Sequence, residues 1–187
     1  MTADLSQCSD RDLAALALAG GQEAYREFLA RYKAPVFRLI RHNVGDDDEA
    51  MDLTQESFVA GFAALARYDG ARPFRAWISR IALNKCRDWG RRRAVRSFFT
   101  RALPLESARH VAGDSPAMDE EVAGRAEMAR VQRAITDLPA PLREVIVLRG
   151  IEELSQSEAA EMLGVSTKTI ETRLYRARAR LREMLGE

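Results

Sequence analysis

The sequence has little of what metal sites, disulfide frameworks and membrane spans require. Its 187 residues include only two cysteines and two histidines, and Cys8 lies far from Cys86 along the chain. This excludes a closed zinc site of the usual spacing and a disulfide framework. The sequence also lacks a run of about eighteen apolar residues, which argues against membrane insertion. We therefore expect the protein to act in a reducing cytoplasm.

Signatures of catalysis are missing as well. The chain contains no glycine-rich phosphate loop, no GxSxG nucleophile elbow and no HExxH pair. The acidic run 46–52 lacks the glycine-centred spacing of a calcium loop, and it fits the first turn of a helix better because the helix dipole favours acids there. Cys86 has no histidine near it in sequence. We therefore predict that the protein is not an enzyme and needs no metal or other cofactor.

Charge is balanced overall but unevenly placed. The 29 Lys and Arg residues offset 28 Asp and Glu residues. Six acidic residues and no basic one lie between Asp46 and Glu56, whereas ten basic residues and one acidic residue lie between Arg72 and Arg101. Alternating blocks of this kind indicate surfaces for different partners.

Apolar residues recur at helical spacing along most of the chain, and no window shows the alternation of a strand. The predicted fold is all-α, with an N-terminal helical bundle over residues 1–94 and a C-terminal helix-turn-helix domain over residues 123–187. Proline and glycine interrupt the pattern between them, which predicts a flexible linker over residues 95–122. Within the first domain, Pro35 is expected to separate two helices, and a long helix is expected over residues 73–93.

The C-terminal domain carries the start and stop signals of two helices joined by a tight turn. A capping box at Ser155 opens the first helix, Gly164 makes a tight turn, and Ser166 is placed to cap the second helix. In a helix-turn-helix, the second helix presents its exposed N-terminal residues to the major groove of DNA. The alternative is a plain helical hairpin with a solvated basic face. The face opposite the apolar residues of the second helix consists of Lys168, Thr169, Glu171, Thr172, Arg173 and Arg176.

The basic helix over residues 73–93 carries an outward stripe of arginines with one asparagine among them. Four of its residues share one outward stripe: Arg80, Asn84, Arg87 and Arg91. Arginine attracts phosphates without reading sequence, whereas an asparagine amide can donate to and accept from a base. Phe74, Trp77 and Trp89 add stacking partners for an unpaired strand. The alternative is that the tryptophans belong to the core and the arginines form a solvated face, and the residues alone leave both open.

The acidic segment predicts a further surface. Asp52, Glu56 and Val59 share an outward stripe, and Gln55 lies beside it. Outward acids beside an exposed valine indicate docking to a basic protein surface, and a solvated face is the equal alternative.

Five motifs in this order make the sequence similar to a known family. They lie at residues 23–32, 52–58, 74–84, 138–145 and 154–185. Together they closely resemble bacterial sigma factors of the sigma-70 family, extracytoplasmic-function class, over nearly the whole chain outside the predicted linker. The resemblance implies a transcription initiation factor that binds core RNA polymerase and directs it to promoters, in a stress or envelope response. It also implies control by a separate anti-sigma protein.

The resemblance implies roles for three sets of residues. The segment that docks on core polymerase corresponds to Asp52, Leu53, Gln55, Glu56 and Phe58. The reader of the melted −10 element corresponds to Arg75, Trp77, Arg80, Asn84, Arg87 and Arg91, with Asn84 at the position that holds a flipped-out base. The reader of the duplex −35 element corresponds to Ser166, Thr167, Lys168, Thr169, Glu171, Thr172, Arg173 and Arg176.

Two other classes of function stay open on the residues alone. One is a helix-turn-helix repressor or activator whose N-terminal bundle dimerises or binds a ligand. The other is a helical enzyme that uses Cys86 or the acidic cluster. A repressor should bind duplex DNA by itself with half-site symmetry, whereas a sigma factor should bind poorly without polymerase.

Overall fold

The computed structural model describes residues 5–102 and 120–186, with side chains over 5–96 and 124–186. Within these ranges the chain forms helices and turns and no strand, so the all-α prediction is confirmed. None of the helices in these ranges combines the length and the apolar character of a bilayer span. The α-helices are α1 (Asp10–Leu18), α2 (Gln22–Val44), α3 (Asp47–Ala63), α4 (Phe74–Ala102), α5 (Glu120–Asp137), α6 (Ala140–Ile146), α7 (Gln156–Leu163) and α8 (Thr167–Leu185).

Helices α1 to α4 form the N-terminal bundle. Ser9 caps α1 by accepting a hydrogen bond from the backbone of Asp12, and Asp46 caps α3 in the same way. The core of the bundle is centred on Phe28 and Phe74, whose stacked rings lie 4.0 Å apart between centroids. Local capping thus sets where the helices begin, and burial of their apolar faces holds them together.

The prediction that Pro35 separates two helices is wrong, because α2 runs unbroken from Gln22 to Val44. Proline cannot donate a backbone hydrogen bond to the preceding turn, which weakens the helix at that point. Phe28 before it and Ile40 after it are both fully buried in the same core. Packing of both halves on one core therefore outweighs the lost hydrogen bond. The helix ends at Gly45, which adopts a left-handed conformation with φ of 75°.

Helix α4 is longer than predicted. It continues to Ala102 rather than ending near residue 93, so the first residues of the expected linker 95–122 are helical. Helix α5 begins at Glu120, and the rest of the expected linker lies outside the described residues.

Helices α5 to α8 form the C-terminal bundle, which contains the predicted helix-turn-helix. Ser155 accepts a hydrogen bond from the backbone of Glu158, and the Glu158 carboxylate accepts one from the Ser155 backbone, so the capping box is present. Gly164 ends α7 in the left-handed conformation, with φ of 66°. Ser166 then caps α8 through the backbone of Thr169. The signals read from the sequence therefore set both ends of the turn.

The two bundles pack against each other. Leu39 of α2 and Leu83 of α4 are buried in the same apolar cluster as Val145 and Leu148 of the C-terminal bundle. At the end of α2, the backbone comes so close to α5 that a Cβ atom on Gly45 would lie 2.7 Å from a methyl carbon of Thr136. The sequence patterns did not predict this contact between bundles.

Candidate nucleic-acid interface

Helix α8 presents the predicted duplex-reading residues at its start. Ile170 and Ala177 are fully buried against the rest of the C-terminal bundle, which turns the opposite side of the helix outward. The exposed residues on that side are Ser166, Thr167, Lys168, Glu171, Thr172 and Arg176, and Thr169 and Arg173 are half-buried. The predicted set is therefore grouped on one accessible face, with the Lys168 ammonium 2.9 Å from the Glu171 carboxylate.

Two residues near the start and the exposed face of α8 lie outside the predicted set, Tyr175 and Gln156. Tyr175 is 71% exposed, and it borders a groove along α8 with Thr172 and Arg178. It lies one helical turn after Glu171, so helical spacing could have identified it. Gln156, the first residue of α7, donates a hydrogen bond to the carbonyl of Thr167 at 2.9 Å. This contact ties the start of α7 to the start of α8.

The arginine stripe of α4 consists of Arg80, Asn84, Arg87 and Arg91. Arg80, Asn84 and Arg91 are exposed, and Arg87 is half-buried. The Arg87 guanidinium donates to both oxygens of Glu144 on α6, at 2.5 and 2.7 Å. It also donates to the Asn84 side-chain oxygen at 2.9 Å. The hydrogen bonds to Glu144 raise the pKa of Arg87, so it stays charged.

Other predicted −10 residues also approach the C-terminal bundle. Arg75 donates to Glu152 at 2.7 Å. The Arg80 guanidinium lies near the turn between α7 and α8, since a Cβ atom on Gly164 would be 3.6 Å from its Nη2. Trp77 is half-buried, with its ring 5.3 Å from the Phe74 ring between centroids. The stripe and its neighbours thus form a basic surface that is partly covered.

The two tryptophans of α4 differ in their surroundings. Trp89 is buried, its indole nitrogen donates to Glu49 at 2.7 Å, and the Arg93 guanidinium lies 5.0 Å from its ring centroid. Trp89 is therefore a core residue, as in the alternative in which the tryptophans belong to the core. Trp77 keeps an accessible edge beside Arg80.

Helix α3 presents an acidic face. Asp52, Gln55 and Glu56 are exposed, and Val59 is 70% exposed. Leu53 and Phe58, which the resemblance also assigns to the docking segment, are 2% and 3% exposed and lie in the core of the N-terminal bundle. Their positions on α3 place them on the side of the helix opposite the acidic face, where they pack α3 against the core of the bundle.

The acidic residues at the start of α3 act as helix-opening residues. Asp46 accepts a hydrogen bond from the backbone of Glu49, and three more acids occupy the first turn. Among the residues that the structure describes, no group of His, Cys, Asp and Glu could hold a metal ion.

Cys86 does not have the surroundings of a nucleophile. The side chain is buried in α4, and this burial raises the pKa of its thiol to about 12. A thiol with this pKa is protonated at neutral pH, whereas a reactive cysteine needs an accessible thiolate.

The fold and its surfaces define a class: a helical protein with a helix-turn-helix in one bundle and an arginine-lined helix in the other. Comparisons with known proteins narrow the class. Residues 28–96 match the family Sigma-70 region 2, and residues 128–181 match the family Sigma-70, region 4. The first match contains α3 and the arginine stripe of α4, and the second contains the helix-turn-helix.

Named RNA polymerase sigma factors match almost the full chain. The chain is 43% identical over 180 residues to the RNA polymerase sigma factor CnrH of Cupriavidus metallidurans, covering 95% of this chain and 94% of the relative. It is 30% identical over 174 residues to the ECF RNA polymerase sigma factor SigW of Bacillus subtilis, covering 90% and 92%. The chain therefore belongs to the sigma-70 family of RNA polymerase sigma factors, in the extracytoplasmic-function (ECF) group.

A solved structure supports the assignment. The structure of CnrH in complex with the cytosolic domain of CnrY is similar at a TM-score of 0.67 and 36% sequence identity. The similarity covers 95% of this chain and 97% of that chain. The solved relative therefore shares the fold of this chain.

Proposed function

We propose that this sigma factor binds core RNA polymerase and directs it to promoters through two DNA-reading helices. Helix α8 reads a duplex −35 element, and α4 reads and stabilises a melted −10 element. The observation that carries the proposal is the placement of one exposed polar and basic face in each segment that matches a sigma-70 region. In domain terms, residues 1–94 act as region 2, residues 123–187 act as region 4, and residues 95–122 connect them.

The −35 contact follows from the chemistry of the start of α8. Thr167 and Lys168 stand at the first turn, where side chains and backbone N–H groups meet phosphates. Arg173 and Arg176 follow one to two turns later, and arginine can bind O6 and N7 of one guanine together. Ser166 caps the helix and so holds this turn in shape.

The −10 contact uses the arginine stripe of α4. Arg80 and Arg91 are exposed cations that attract the phosphates of an unpaired strand, and the Asn84 amide has the donor and acceptor needed for a base edge. Flipping a base out of the duplex costs a few kcal/mol, which contacts with the protein must offset. Trp77 supplies an accessible aromatic edge beside the stripe.

The polymerase contact uses the acidic face of α3. Asp52, Gln55 and Glu56 lie beside the exposed Val59, and Lys85 of α4 borders the same groove with its ammonium 3.0 Å from the Glu56 carboxylate. The surface is therefore an exposed valine with acidic and polar neighbours. Such a surface complements a basic protein surface that has an apolar centre of its own. Leu53 and Phe58 contribute by packing α3 onto the core rather than by contact with the polymerase.

The proposal includes no catalytic chemistry of its own and no cofactor. It places the protein in the cytoplasm, where core polymerase and promoter DNA are found. Control by an anti-sigma protein is supported by the relative CnrH, whose solved structure is a complex with the cytosolic domain of CnrY. In this proposal, the anti-sigma protein links the activity of the sigma factor to the signal of a stress or envelope response.

Run-off transcription tests the proposal directly. Purified core polymerase is incubated with fragmented genomic DNA of the source organism, with and without this protein. We expect new transcripts that need both components, and their start sites will share −35 and −10 sequences. The proposal fails if no transcript depends on the protein while the protein alone binds duplex DNA tightly at symmetric half-sites, which is the behaviour of a repressor.

A further inference from the structure

The residue before α4 has no side chain that could cap the helix. Pro73 precedes Phe74, the first residue of α4, and a proline ring offers no hydrogen-bond acceptor. The Pro73 carbonyl accepts hydrogen bonds from the backbones of Ala76 and Trp77. The Phe74 N–H is one of the donors that a helix start leaves without a partner in the helix, and Phe74 is fully buried. A buried donor needs a partner, which must here come from another part of the fold.

The partner comes from α1, 64 positions earlier in the chain. Asp10, the first residue of α1, accepts the hydrogen bond of the Phe74 backbone through Oδ2 at 3.3 Å. A carboxylate suits this position because the start of a helix carries a partial positive charge. The segment that matches Sigma-70 region 2 begins at residue 28, so α1 lies outside it. An element outside the matched segment therefore completes the start of the proposed −10 reader.

Two side chains of α2 hold Asp10 in place. The Tyr32 hydroxyl donates to the Asp10 carboxylate, whose two oxygens lie 2.8 and 2.7 Å away. Burial and the hydrogen bond to Asp10 raise the pKa of Tyr32, so the hydroxyl keeps its proton. The Arg31 guanidinium lies 3.4 Å from the same carboxylate. It also donates to three backbone carbonyls ahead of α1, those of Leu5, Ser6 and Cys8.

The second residue of α1 supports the loop that leads into α4. A Cβ atom on Gly70 would lie 2.8 Å from Cγ of Arg11, so the stem of Arg11 packs directly against this loop. The Tyr68 hydroxyl closes the loop by donating to the carbonyl of Arg72 at 2.5 Å. The first turn of α1 thus contacts both the loop and the first residue of α4.

The first turn of α4 carries Trp77 of the proposed −10 reader. The Trp77 ring lies 5.3 Å from the Phe74 ring and 5.4 Å from the Tyr68 ring, between centroids. Packed side chains transmit small shifts to one another, so a displacement of Phe74 would displace Trp77. Asn84 lies about three helical turns after Phe74, and we expect it to move less.

We propose that Asp10 is a positioning residue of the −10 reader: it caps α4 from α1 and thereby fixes the placement of Trp77 for an unpaired strand. Asp10 does not touch DNA in this proposal, and it acts through Phe74. The positioning role rests on the proposed function of α4, whereas the cap does not.

The cap sets the fraction of molecules whose first turn of α4 is ordered. Without the Asp10 carboxylate, the Phe74 N–H loses its partner, and the first turn is displaced or frayed in part of the population. Only the ordered population places Trp77 correctly, so the apparent affinity for the melted strand falls with that fraction. Promoter opening should therefore depend on a residue that lies on a different helix from the reader.

Four variants of the full-length protein separate positioning from stability. Asp10→Ala removes the cap, and Asp10→Asn keeps one oxygen that can accept from Phe74. Tyr32→Phe keeps the cap and removes the hydroxyl that holds it. The matched control, Ser9→Ala, removes the cap of α1 itself, since Ser9 accepts a hydrogen bond from the backbone of Asp12 at 3.2 Å. Thermal melting followed by circular dichroism gives a temperature at which every variant is folded.

Hydrogen exchange tests the cap without DNA. We expect Asp10→Ala to speed amide exchange in peptides that cover the start of α4 by about fivefold, the effect of one lost helix cap. Asp10→Asn and Tyr32→Phe should speed this exchange by less. Ser9→Ala should speed exchange in α1 and leave the start of α4 at the wild-type rate. Mass spectrometry of the peptides measures all four variants.

Promoter opening tests the positioning role. With core polymerase and a promoter recovered by run-off transcription, Asp10→Ala should lower permanganate reactivity of the melted element about threefold, and Ser9→Ala should not. A double-mutant cycle gives a readout that a loss of stability would not produce. In a Trp77→Ala background, Asp10→Ala should cause little further loss, because the side chain that it positions is absent. In an Arg176→Ala background, it should cause its full threefold loss.

Two results would overturn the proposal. If Asp10→Ala leaves exchange at the start of α4 at the wild-type rate, Asp10 does not cap this helix. If Asp10→Ala lowers opening equally in the Trp77→Ala and Arg176→Ala backgrounds, Asp10 contributes stability and does not position Trp77. Hydrogen exchange does not depend on promoter recognition, so a failure of run-off transcription would remove the proposed function and leave the cap to be decided by exchange.

Discussion

Asn84 is the residue whose chemistry differs from its neighbours in the arginine stripe. Its side chain is exposed, and its hydrogen bond with Arg87 uses the carbonyl oxygen rather than the amide nitrogen. An amide can read the edge of a base, whereas the surrounding guanidinium groups mainly supply charge. The stripe could be found from helical spacing alone, because every one of its members lies on a single regular helix.

Replacing Asn84 separates promoter opening from polymerase binding. We expect Asn84→Ala to weaken opening at a matched promoter by about tenfold, the loss typical of one base contact. Permanganate reactivity of unpaired thymines measures the opening. Affinity for core polymerase should be unchanged, because Asn84 lies on α4 and the acidic face lies on α3. An equal loss of polymerase affinity would contradict the role of Asn84 as a base reader.

At the scale of elements, the start of α8 was fully predictable. The capping box at Ser155, the turn at Gly164 and the cap at Ser166 are all present as expected. Each of these signals depends on hydrogen bonds between residues within one helical turn. Ile170 and Ala177 then decide which side of α8 is buried. The exposed face follows from these positions by helix geometry.

Arg176 tests the assignment of that exposed face. We expect Arg176→Ala to weaken binding of the polymerase complex to the −35 element by about tenfold, because one arginine contact to a guanine is lost. Arg26→Ala is the matched control, since Arg26 is also exposed and lies on α2. Nuclease footprinting measures both variants. A −35 footprint that Arg176→Ala leaves unchanged would show that another face of the domain reads DNA.

Two other elements were predicted less well, for different reasons. The acidic face of α3 was found from spacing, but Leu53 and Phe58 entered the docking set through the family resemblance, which assigns a segment and not a side of the helix. Pro35 was read as a break because local rules disfavour proline inside a helix. The core around Phe28 and Ile40 keeps α2 continuous, and a local rule does not include that contribution.

At the scale of the whole molecule, the bundles share buried residues. Cys86 lies in the core of the N-terminal bundle, and it also borders a cavity with Arg143 and Glu144 of the C-terminal bundle. Burial raises the pKa of its thiol to about 12 from a usual value of 9.0. The sequence analysis could not give this environment, because the basic neighbours in sequence suggest the opposite shift.

Alkylation tests this environment. With iodoacetamide at pH 8, we expect the partly exposed Cys8 to react much faster than Cys86, which should react roughly a thousandfold more slowly than an ordinary thiol. The raised pKa keeps Cys86 protonated until the pH approaches that value. Peptide mass spectrometry measures both sites, and unfolding in guanidinium should make the two rates similar. Equal rates in the folded protein would contradict the buried position of Cys86.

The sequence by itself determined the helical class, the caps and the turn of the helix-turn-helix, and the polar faces of α3, α4 and α8. These features depend on residues a few positions apart, so caps, turns and periodicity describe them. Only the tertiary structure decided that Leu53 and Phe58 are core residues, that α2 passes through Pro35, and that the two bundles meet. The ion pairs of that contact join residues 57 and 77 positions apart, and no local pattern specifies which distant charges become neighbours.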